Sequence, residues 1–328
     1  MDARQMNDLQ ITKATYKQDW KNYTAAQNNE MILFDRLLTD LVKTVPEPPQ
    51  QTGRPKLSLR ETVFCAIKKV YSQLSSRRAY SLYKNAEERQ HIDKAPNYNA
   101  INKVLNREDI TPILHNLLTT SALPMKSVET TFATDSSGFS TSQFGQYAVE
   151  KYGPMRKHRW VKAHILVGVK TNVIASARIT KEQGGDCPQF APMVTEAHEN
   201  GFNIREISAD MGYLSRDNYN LAEAIGATAY IPFRKNVKGR ARGSYMWKKM
   251  YHFFQFNKDE FLRHYHKRSN AETVFDMVKM KFGDKLKSKN PLAQQNELLC
   301  KFIAHNLVVL INEMYELGII PRFCSKNS

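Results

Sequence analysis

Residues 128–138 read Val-Glu-Thr-Thr-Phe-Ala-Thr-Asp-Ser-Ser-Gly, and at this stretch the chain changes from a helical to an extended pattern. The first seven residues are rich in β-branched and aromatic side chains, which predicts a strand over 128–134. Asp135 follows directly, and Ser136 to Gly138 are residue types that are common in turns. We therefore expect a β-strand that ends at a carboxylate, the position at which α/β sheets bind their ligands.

The chain downstream of this strand alternates between extended and helical segments. Residues 159–169 and 172–180 are rich in β-branched side chains and flank the short turn Lys170-Thr-Asn172, which predicts a hairpin. We predict the further elements as helix 188–200, strand 204–209 before Asp210, helix 214–225, strand 227–233, and long helices 258–282 and 291–317. The order β-ββ-α-β-α-β-α-α is that of an α/β fold, a mixed sheet with helices on its faces.

The region before residue 128 shows only helical signals. Apolar residues follow a helical period over 28–43, and a Pro-rich linker occupies 45–55. Ser58-x-x-Glu61 forms a capping box ahead of the next helix. Residues 57–123 carry no strand pattern, so this region is predicted to be entirely helical.

The predicted organisation has three parts. We assign 1–56 to an N-terminal helix and linker, 57–127 to a helical DNA-binding or dimerisation region, and 128–328 to the α/β domain with a C-terminal helix. Three basic residues of the middle part fall on the second helix of a possible helix-turn-helix: Arg77, Arg78 and Lys84. Helical packing without DNA contact explains their positions equally well.

The composition favours a polyanionic partner. The 328 residues include 48 Lys and Arg against 32 Asp and Glu, a formal net charge of +16. Residues 231–290 alone hold sixteen basic and five acidic residues (16 − 5 = +11), whereas a bland solvated surface would spread its charge more evenly. An excess of this kind is typical of a nucleic-acid-binding face.

We expect a cytoplasmic protein without a membrane-spanning segment. No uninterrupted apolar run approaches the roughly 18 residues that a spanning helix needs, and residues 1–15 are polar with no apolar signal core. The four cysteines are too scattered for a metal knuckle or a disulfide scaffold. His264 and His266 lie two positions apart and face different directions on a helix, which argues against a metal pair.

Three acidic residues stand out by their positions. Asp135 and Asp210 each follow a predicted strand, and carboxylates at neighbouring strand ends can share a divalent cation, although a turn or a helix cap explains each Asp more simply. Glu272 belongs to the predicted helix 258–282. One edge of its buried face carries four polar residues within an arc of about 60°: Tyr265, Arg268, Glu272 and Lys279. An Arg268–Glu272 pair on a solvated face would give the same pattern.

The spacing Tyr265-x2-Arg268-x3-Glu272-x6-Lys279 resembles the Tyr-Arg-Glu-Lys signature of the insertion-sequence DDE transposases of bacteria and archaea. Three further segments are similar to the first-aspartate strand of that family, to the basic strand after it and to its second-aspartate segment: 133–138, 159–164 and 209–213. The resemblance covers about 128–316 and extends more weakly to the helices of 57–123.

The resemblance implies a ribonuclease H-like DDE catalytic fold for 128–328. It implies that Asp135, Asp210 and Glu272 bind two Mg²⁺ or Mn²⁺ ions, which can activate water and stabilise a leaving 3′-oxygen in phosphodiester cleavage. Only 62 positions separate Asp210 from Glu272 (272 − 210), too few for the β insertion of some relatives, so a hairpin intermediate that relies on this insertion is not expected.

The same resemblance implies double-stranded DNA partners, the transposon ends and the target, with a homodimer on paired ends in the nucleoid-associated cytoplasm. Arg268 can hold a phosphate with two donors, Lys279 can act as a point charge, and Tyr265 can donate to a phosphate oxygen. A basic loop at 238–243 precedes aromatic residues that could stack an unpaired base or simply pack on the sheet. The predicted DNA-binding set is Tyr265, Arg268, Lys279, Lys162, Trp247, Arg240 and Arg242.

Two other function classes remain open at this point. A ribonuclease H-like, structure-selective nuclease would use the same metal ions without strand transfer, and the Tyr-Arg-Glu-Lys line argues against it. A catalytically inactive, domesticated DNA-binding protein would keep only the basic surface, and the intact acidic triad argues against that class.

Overall fold

A mixed sheet forms the centre of the second half of the chain in the computed structural model, which describes residues 19–49, 56–141 and 160–323. Its strands are β1 Thr131–Ser140, β2 Trp160–Gly168, β3 Ile174–Lys181, β4 Glu206–Ala209 and β5 Thr228–Tyr230. They lie in the order β3-β2-β1-β4-β5, with β2 antiparallel to its two neighbours and β4 parallel to β1 and β5. The prediction of an α/β fold with a mixed sheet and flanking helices is confirmed.

Helices precede the sheet and cover it. The N-terminal region contains α1 Trp20–Val42, α2 Leu59–Ser72, α3 Ser76–Glu88, α4 Tyr98–Leu105 and α5 Ile110–Ala122. The later helices are α6 Cys187–Glu199, α7 Arg216–Ala224, α8 Tyr245–Phe256, α9 Lys258–Tyr265, α10 Ser269–Phe282 and α11 Pro291–Glu316. The purely helical character predicted for 57–123 is confirmed, whereas α8 was not predicted.

The capping box predicted at the start of α2 forms only in part. The Ser58 hydroxyl accepts a hydrogen bond from Glu61 N at 3.3 Å, as the capping box predicts. The Glu61 carboxylate does not return to Ser58 but accepts from Asp93 N. The linker residue Glu47 takes its place and accepts from Leu59 N at 2.9 Å, so the linker itself caps the helix.

The long helix α11 joins the N-terminal helices to the sheet. It packs on α1, α2 and α5, and its buried Asn306 Oδ1 accepts from Ile174 N of β3 at 2.9 Å. By length and composition α11 is long and apolar enough to cross a membrane, although no such segment was predicted, but 78% of its most apolar stretch is buried inside the protein. The proposed boundary at 127 therefore separates regions that share one hydrophobic core.

The first strand corrects one expectation. The predicted strand end at Asp135 and the turn at Ser136 to Gly138 are wrong, because β1 continues through these residues to Ser140. They pair with β2 in register, Ser136 opposite His164 and Gly138 opposite Lys162, and this cross-strand pairing overrides their turn propensity. A Cβ on Gly138 would lie 3.3 Å from the Trp160 ring, which explains a glycine inside the strand.

The predicted helix 258–282 is also corrected, because it is interrupted. The helix α9 ends at Tyr265, a 3₁₀ turn spans His266–Arg268, and α10 begins at Ser269. Two hydrogen bonds connect this part of the chain to β4. Ser208 Oγ donates to His264 O at 2.8 Å, and Lys267 Nζ donates to Glu206 at 3.0 Å. The four polar residues of the signature therefore do not lie on one continuous helix.

Candidate active site

Two aspartates lie side by side on adjacent parallel strands. The β1–β4 ladder ends at the pair Thr134 and Ala209, so Asp135 and Asp210 are the next residue on each strand. Asp135 stays in the antiparallel ladder with β2, whereas Asp210 leaves the sheet and accepts from Gly212 N at 3.3 Å. The carboxyl end of β4 was thus predicted correctly, and Asp135 lies where parallel pairing ends although its strand continues.

Arg268 connects the third carboxylate, that of Glu272, to Asp135. Arg268 Nη1 donates to Asp135 Oδ2 at 3.1 Å, and Arg268 Nη2 lies 2.7 Å from Glu272 Oε1. The Arg268 guanidinium also lies 5.8 Å from the centre of the Tyr265 ring. Arg268 therefore joins Tyr265 and Glu272 of the predicted signature to Asp135, although a 3₁₀ turn interrupts the helix that carries them.

The three carboxylates influence one another electrostatically. Burial, together with the nearby Glu272 and Asp210, raises the pKa of Asp135 to about 6, against the opposing effects of a backbone hydrogen bond from Ser136 and of Arg268. Burial also raises the pKa of the Tyr265 phenol, which Arg268 lowers in turn. The cluster is therefore a half-buried acidic site whose negative charge is partly compensated by one guanidinium.

The three acidic side chains are of the chemical type that binds a divalent cation. Carboxylate oxygens are the ligands that Mg²⁺ and Mn²⁺ prefer. Within the described ranges, no three His, Cys, Asp or Glu side chains already surround a position for an ion. Arg268 lies between Asp135 and Glu272 and supplies positive charge there, and the Glu272 side chain is half exposed. The guanidinium thus pairs with one oxygen of each carboxylate, Asp135 Oδ2 and Glu272 Oε1.

Lys279 meets β1 next to this cluster. Its Nζ donates to Ser137 Oγ at 2.6 Å and lies over the rings of Phe139 and Phe275. Residues two apart on a strand share a face, so Ser137 and Asp135 point to the same side of the sheet. The ammonium of Lys279 thus lies on the same side of the strand as the first carboxylate.

The model of the transposase DDE domain family matches residues 126–307, more than half of the chain, from just before β1 into α11. The chain belongs to the DDE transposase family. No solved structure matches it. Members of this family are transposases that generally use divalent metal ions, and the match includes all three acidic residues of the cluster.

A fourth carboxylate lies beside the second aspartate of this DDE domain. Asp186 is the N-cap residue of α6, but its side chain makes no cap hydrogen bond to that helix. A Cβ placed on Gly212 would lie 3.1 Å from Asp186 Oδ2 and 3.6 Å from Asp210 Oδ2, so the two carboxylates flank this glycine. The Gly184-Gly185 pair that precedes Asp186 was the available sequence signal.

Two basic side chains of β2 face Asp186 rather than solvent. Lys162 Nζ lies 2.7 Å from Asp186 Oδ1, and His164 Nδ1 lies 3.3 Å from the same oxygen. His164 Nε2 is 3.1 Å from Thr180 Oγ1, and burial lowers the pKa of His164 to about 4, so this histidine is neutral near pH 7. The predicted DNA-binding Lys162 is therefore engaged in an ion pair at the site.

The predicted base-stacking role of Trp247 in this transposase is wrong. Trp247 lies on α8 with 4% of its surface exposed, packed edge-on against Tyr219 and Phe233. The Arg216 guanidinium lies 4.3 Å from the ring centre, so the ring is covered and cannot stack on a base. The alternative, aromatic packing in the core, is the observed arrangement.

The basic loop before α8 keeps its two arginines in solvent. Arg240 and Arg242 are exposed, and Arg216 of α7 donates to the backbone carbonyls of Ala241 and Arg240 at 3.2 and 3.3 Å. The loop backbone is thus anchored while its guanidinium groups are free to meet a ligand. No contact in the described part of the chain joins this loop to the three carboxylates.

Proposed function

We propose that this chain is a DNA transposase that cleaves DNA at the ends of an insertion sequence and joins the freed 3′-OH ends to target DNA. The observation that supports the proposal is the contact of Arg268 with both Asp135 and Glu272, beside Asp210 at the neighbouring strand end, inside a DDE domain. Three carboxylates that share one edge of a sheet form a site suited to phosphodiester chemistry.

A ribonuclease H-like catalytic fold is part of this proposal. The sheet order β3-β2-β1-β4-β5, with a three-stranded antiparallel meander followed by two parallel strands, supports it. The Tyr-Arg-Glu-Lys signature is the second part, and the cluster of Tyr265, Arg268 and Glu272, with Lys279 beside β1, supports that assignment.

Each side chain has a role that its chemistry suggests. Two Mg²⁺ or Mn²⁺ ions held by Asp135, Asp210 and Glu272 would supply an activated water and charge stabilisation on the leaving 3′-oxygen. Asp135 lies within β1 and Asp210 directly follows β4, so the sheet would fix the reacting position, while the more exposed Glu272 would complete the set. The Tyr265 phenol stays protonated at neutral pH and can donate to a phosphate oxygen.

The basic residues then orient the DNA. Once the carboxylates are compensated by cations, the planar guanidinium of Arg268 can turn to grip a phosphate through two donors. Lys279 offers a second positive charge on the same side of β1, and the exposed Arg240 and Arg242 extend the contact surface. A homodimer that holds two element ends completes the proposal, because the 3′-OH ends must be joined to one target.

The test is a reaction with the full chain, a duplex that carries the terminal repeat flanking the coding sequence, and a supercoiled plasmid as target. We expect Mg²⁺-dependent cleavage at the element end and joined products in the plasmid. Cleavage without joined products would point to a nuclease instead. Binding without any cleavage would point to a DNA-binding protein that has lost its activity.

A further inference from the structure

A cleft of about 530 Å³ opens between the turn from α2 to α3 and the segment that leads into α11. Four lysines line it: Lys69, Lys287, Lys289 and Lys301. Glu297 is the one acidic side chain among the described lining residues, so the ionisable groups of this lysine cleft sum to +3 (4 − 1). Both Glu297 oxygens accept from backbone, from Lys287 N at 2.9 Å and Ser288 N at 2.8 Å, which uses them within the fold.

The lysine ammonium groups keep donors for a ligand. Lys69 donates to Asn102 Oδ1 at 2.8 Å, Lys287 to Gln73 O, and the buried Lys301 to Gly283 O at 2.7 Å and Lys285 O at 2.9 Å. Each ammonium has three donors, so at least one remains on each of these three. Among the ion pairs of the described ranges, none uses a lysine of the cleft.

Burial weakens the charged form of two lysines of the cleft. It lowers the pKa of Lys301 to about 8 and also lowers the pKa of Lys69, while the nearby Glu297 opposes both shifts. An anion in the cleft would reverse both shifts, because a nearby negative charge favours the ammonium form. The cleft therefore gains electrostatically from an anionic ligand.

A helix start adds a second attraction for an anion. Ser75 and Ser76 line the cleft, and Ser75 is the N-cap of the 13-residue helix α3 but makes no side-chain cap hydrogen bond. The first-turn N–H groups of α3 thus lack their usual side-chain partner at the positive end of the helix dipole. Backbone N–H groups and lysines that converge in this way suit a phosphate.

We propose that the lysine cleft binds backbone phosphates of duplex DNA, at a site separate from the acidic cluster. This inference rests on the proposed transposase function. Positive charge continues from the cleft onto the exposed Arg77 and Arg78, which directly follow Ser76 in α3, and several cations in sequence suit a row of phosphates better than one free phosphate.

The helix α10 gives the distance between the two sites. Glu272 lies near its start and Phe282, which lines the cleft, is its last residue. Ten residues of helix span about 15 Å. This corresponds to roughly four to five base-pair steps of duplex at about 3.4 Å each. The cleft would therefore hold the element end a few base pairs inside the cleaved bond.

The experiment is a double-mutant cycle on binding in Ca²⁺ with the full chain. The protein variant is Lys69→Gln with Lys289→Gln, and the control removes two exposed lysines elsewhere, Lys94→Gln with Lys126→Gln. The DNA is a terminal-repeat duplex of about 30 base pairs, unmodified or with neutral methylphosphonates at base pairs 3–7 from the cleaved bond. A third duplex carries the same modification near its far end.

We expect the cleft variant to bind the unmodified duplex more weakly than wild type, with a salt slope smaller by about 1 to 2. The methylphosphonates at base pairs 3–7 should weaken wild type and the control but should have no further effect on the cleft variant. Additive losses, or an equal response to the far-end modification, would overturn the inference. Failure of wild type to bind the repeat at all would instead contradict the proposed function.

A folding control keeps the result interpretable. Lys289 is exposed, so Lys289→Gln alone should leave the circular dichroism spectrum and the melting temperature unchanged. It should still lower the salt slope by about 1. A single variant that folds normally and keeps the wild-type slope would equally exclude Lys289 from a phosphate site.

Discussion

Arg268 Nη1 donates a hydrogen bond of 3.1 Å to Asp135 Oδ2, between residues 133 positions apart in the chain. The same guanidinium pairs with Glu272, so one cation compensates two carboxylates of the acidic cluster. We therefore expect a bound metal ion and Arg268 to compete for the same negative charge. Such a competition would link metal binding to the release of an arginine that can then hold DNA.

Removal of Arg268 should strengthen metal binding. We expect Arg268→Ala to bind Mn²⁺ roughly tenfold more tightly in the absence of DNA. A tenfold change corresponds to about 1.4 kcal/mol, which is a modest share of the attraction between the guanidinium and the two carboxylates. Calorimetry or the Mn²⁺ paramagnetic resonance signal measures the affinity. Arg263→Ala, an exposed arginine on α9, is the matched control and should bind Mn²⁺ like wild type.

The same variant should weaken the grip on element ends. We expect Arg268→Ala to lose about 1.5–3 kcal/mol of end-DNA affinity in Ca²⁺, the value of a charge-assisted hydrogen bond. Arg268→Lys should recover only part of it, since a lysine lacks the planar fork. Normal DNA affinity together with unchanged Mn²⁺ affinity would show that Arg268 is a surface ion pair only.

The three acidic residues should be essential for cleavage but not for binding. We expect Asp135→Asn, Asp210→Asn and Glu272→Gln each to lower Mg²⁺-dependent cleavage by about a thousandfold or more, because metal catalysis contributes several kcal/mol. Asp276→Asn, an exposed acid on α10, should cleave normally. Gel-shift affinity in Ca²⁺ should stay near wild type for all four, and wild-type cleavage by any of the first three would remove that residue from the site.

Trp247 should matter for stability and not for DNA contact. We expect Trp247→Ala to lower the free energy of unfolding by about 3–5 kcal/mol in urea titrations, the usual cost of truncating a buried aromatic residue. Phe256→Ala on the same helix should cost little, because that ring is 79% exposed. If Trp247→Ala unfolded like wild type yet lost DNA affinity, the ring would have to leave the core to bind.

Glu313 of α11 should make stability depend on pH. Burial, together with the nearby Glu316 and Glu129, raises the pKa of this carboxyl to about 7. The folded state then holds a proton that the unfolded chain releases near pH 4.5, so stability falls as the pH rises from about 4.5 to about 7.

The measurement compares urea unfolding of wild type and Glu313→Gln across this pH range. The variant should lose this pH dependence and gain up to about 3 kcal/mol relative to wild type at pH 8. Glu88→Gln, an exposed carboxyl on α3, should follow the wild-type curve. Parallel curves for wild type and Glu313→Gln would show that Glu313 ionises as freely in the folded as in the unfolded state.

The local pattern of the sequence determined the class of fold and much of the site. Runs of β-branched residues predicted the hairpin of β2 and β3, and a short strand followed by an aspartate predicted the carboxyl end of β4. The spacing of Tyr265, Arg268 and Glu272 predicted their clustering. These features depend on the order of neighbouring side chains, which a sequence displays directly.

Tertiary contacts decided the rest. The strand β1 continues past Asp135 because its partner β2, which begins at residue 160, pairs with the residues that looked like a turn. The helix before Glu272 breaks because His264 and Lys267 are held by side chains of β4 more than fifty positions earlier. Such contacts form only after distant segments have packed, and the free energy of that packing exceeds the weak local preferences of a few residues. The pairing of Arg268 with Asp135 is therefore a property of the folded chain alone.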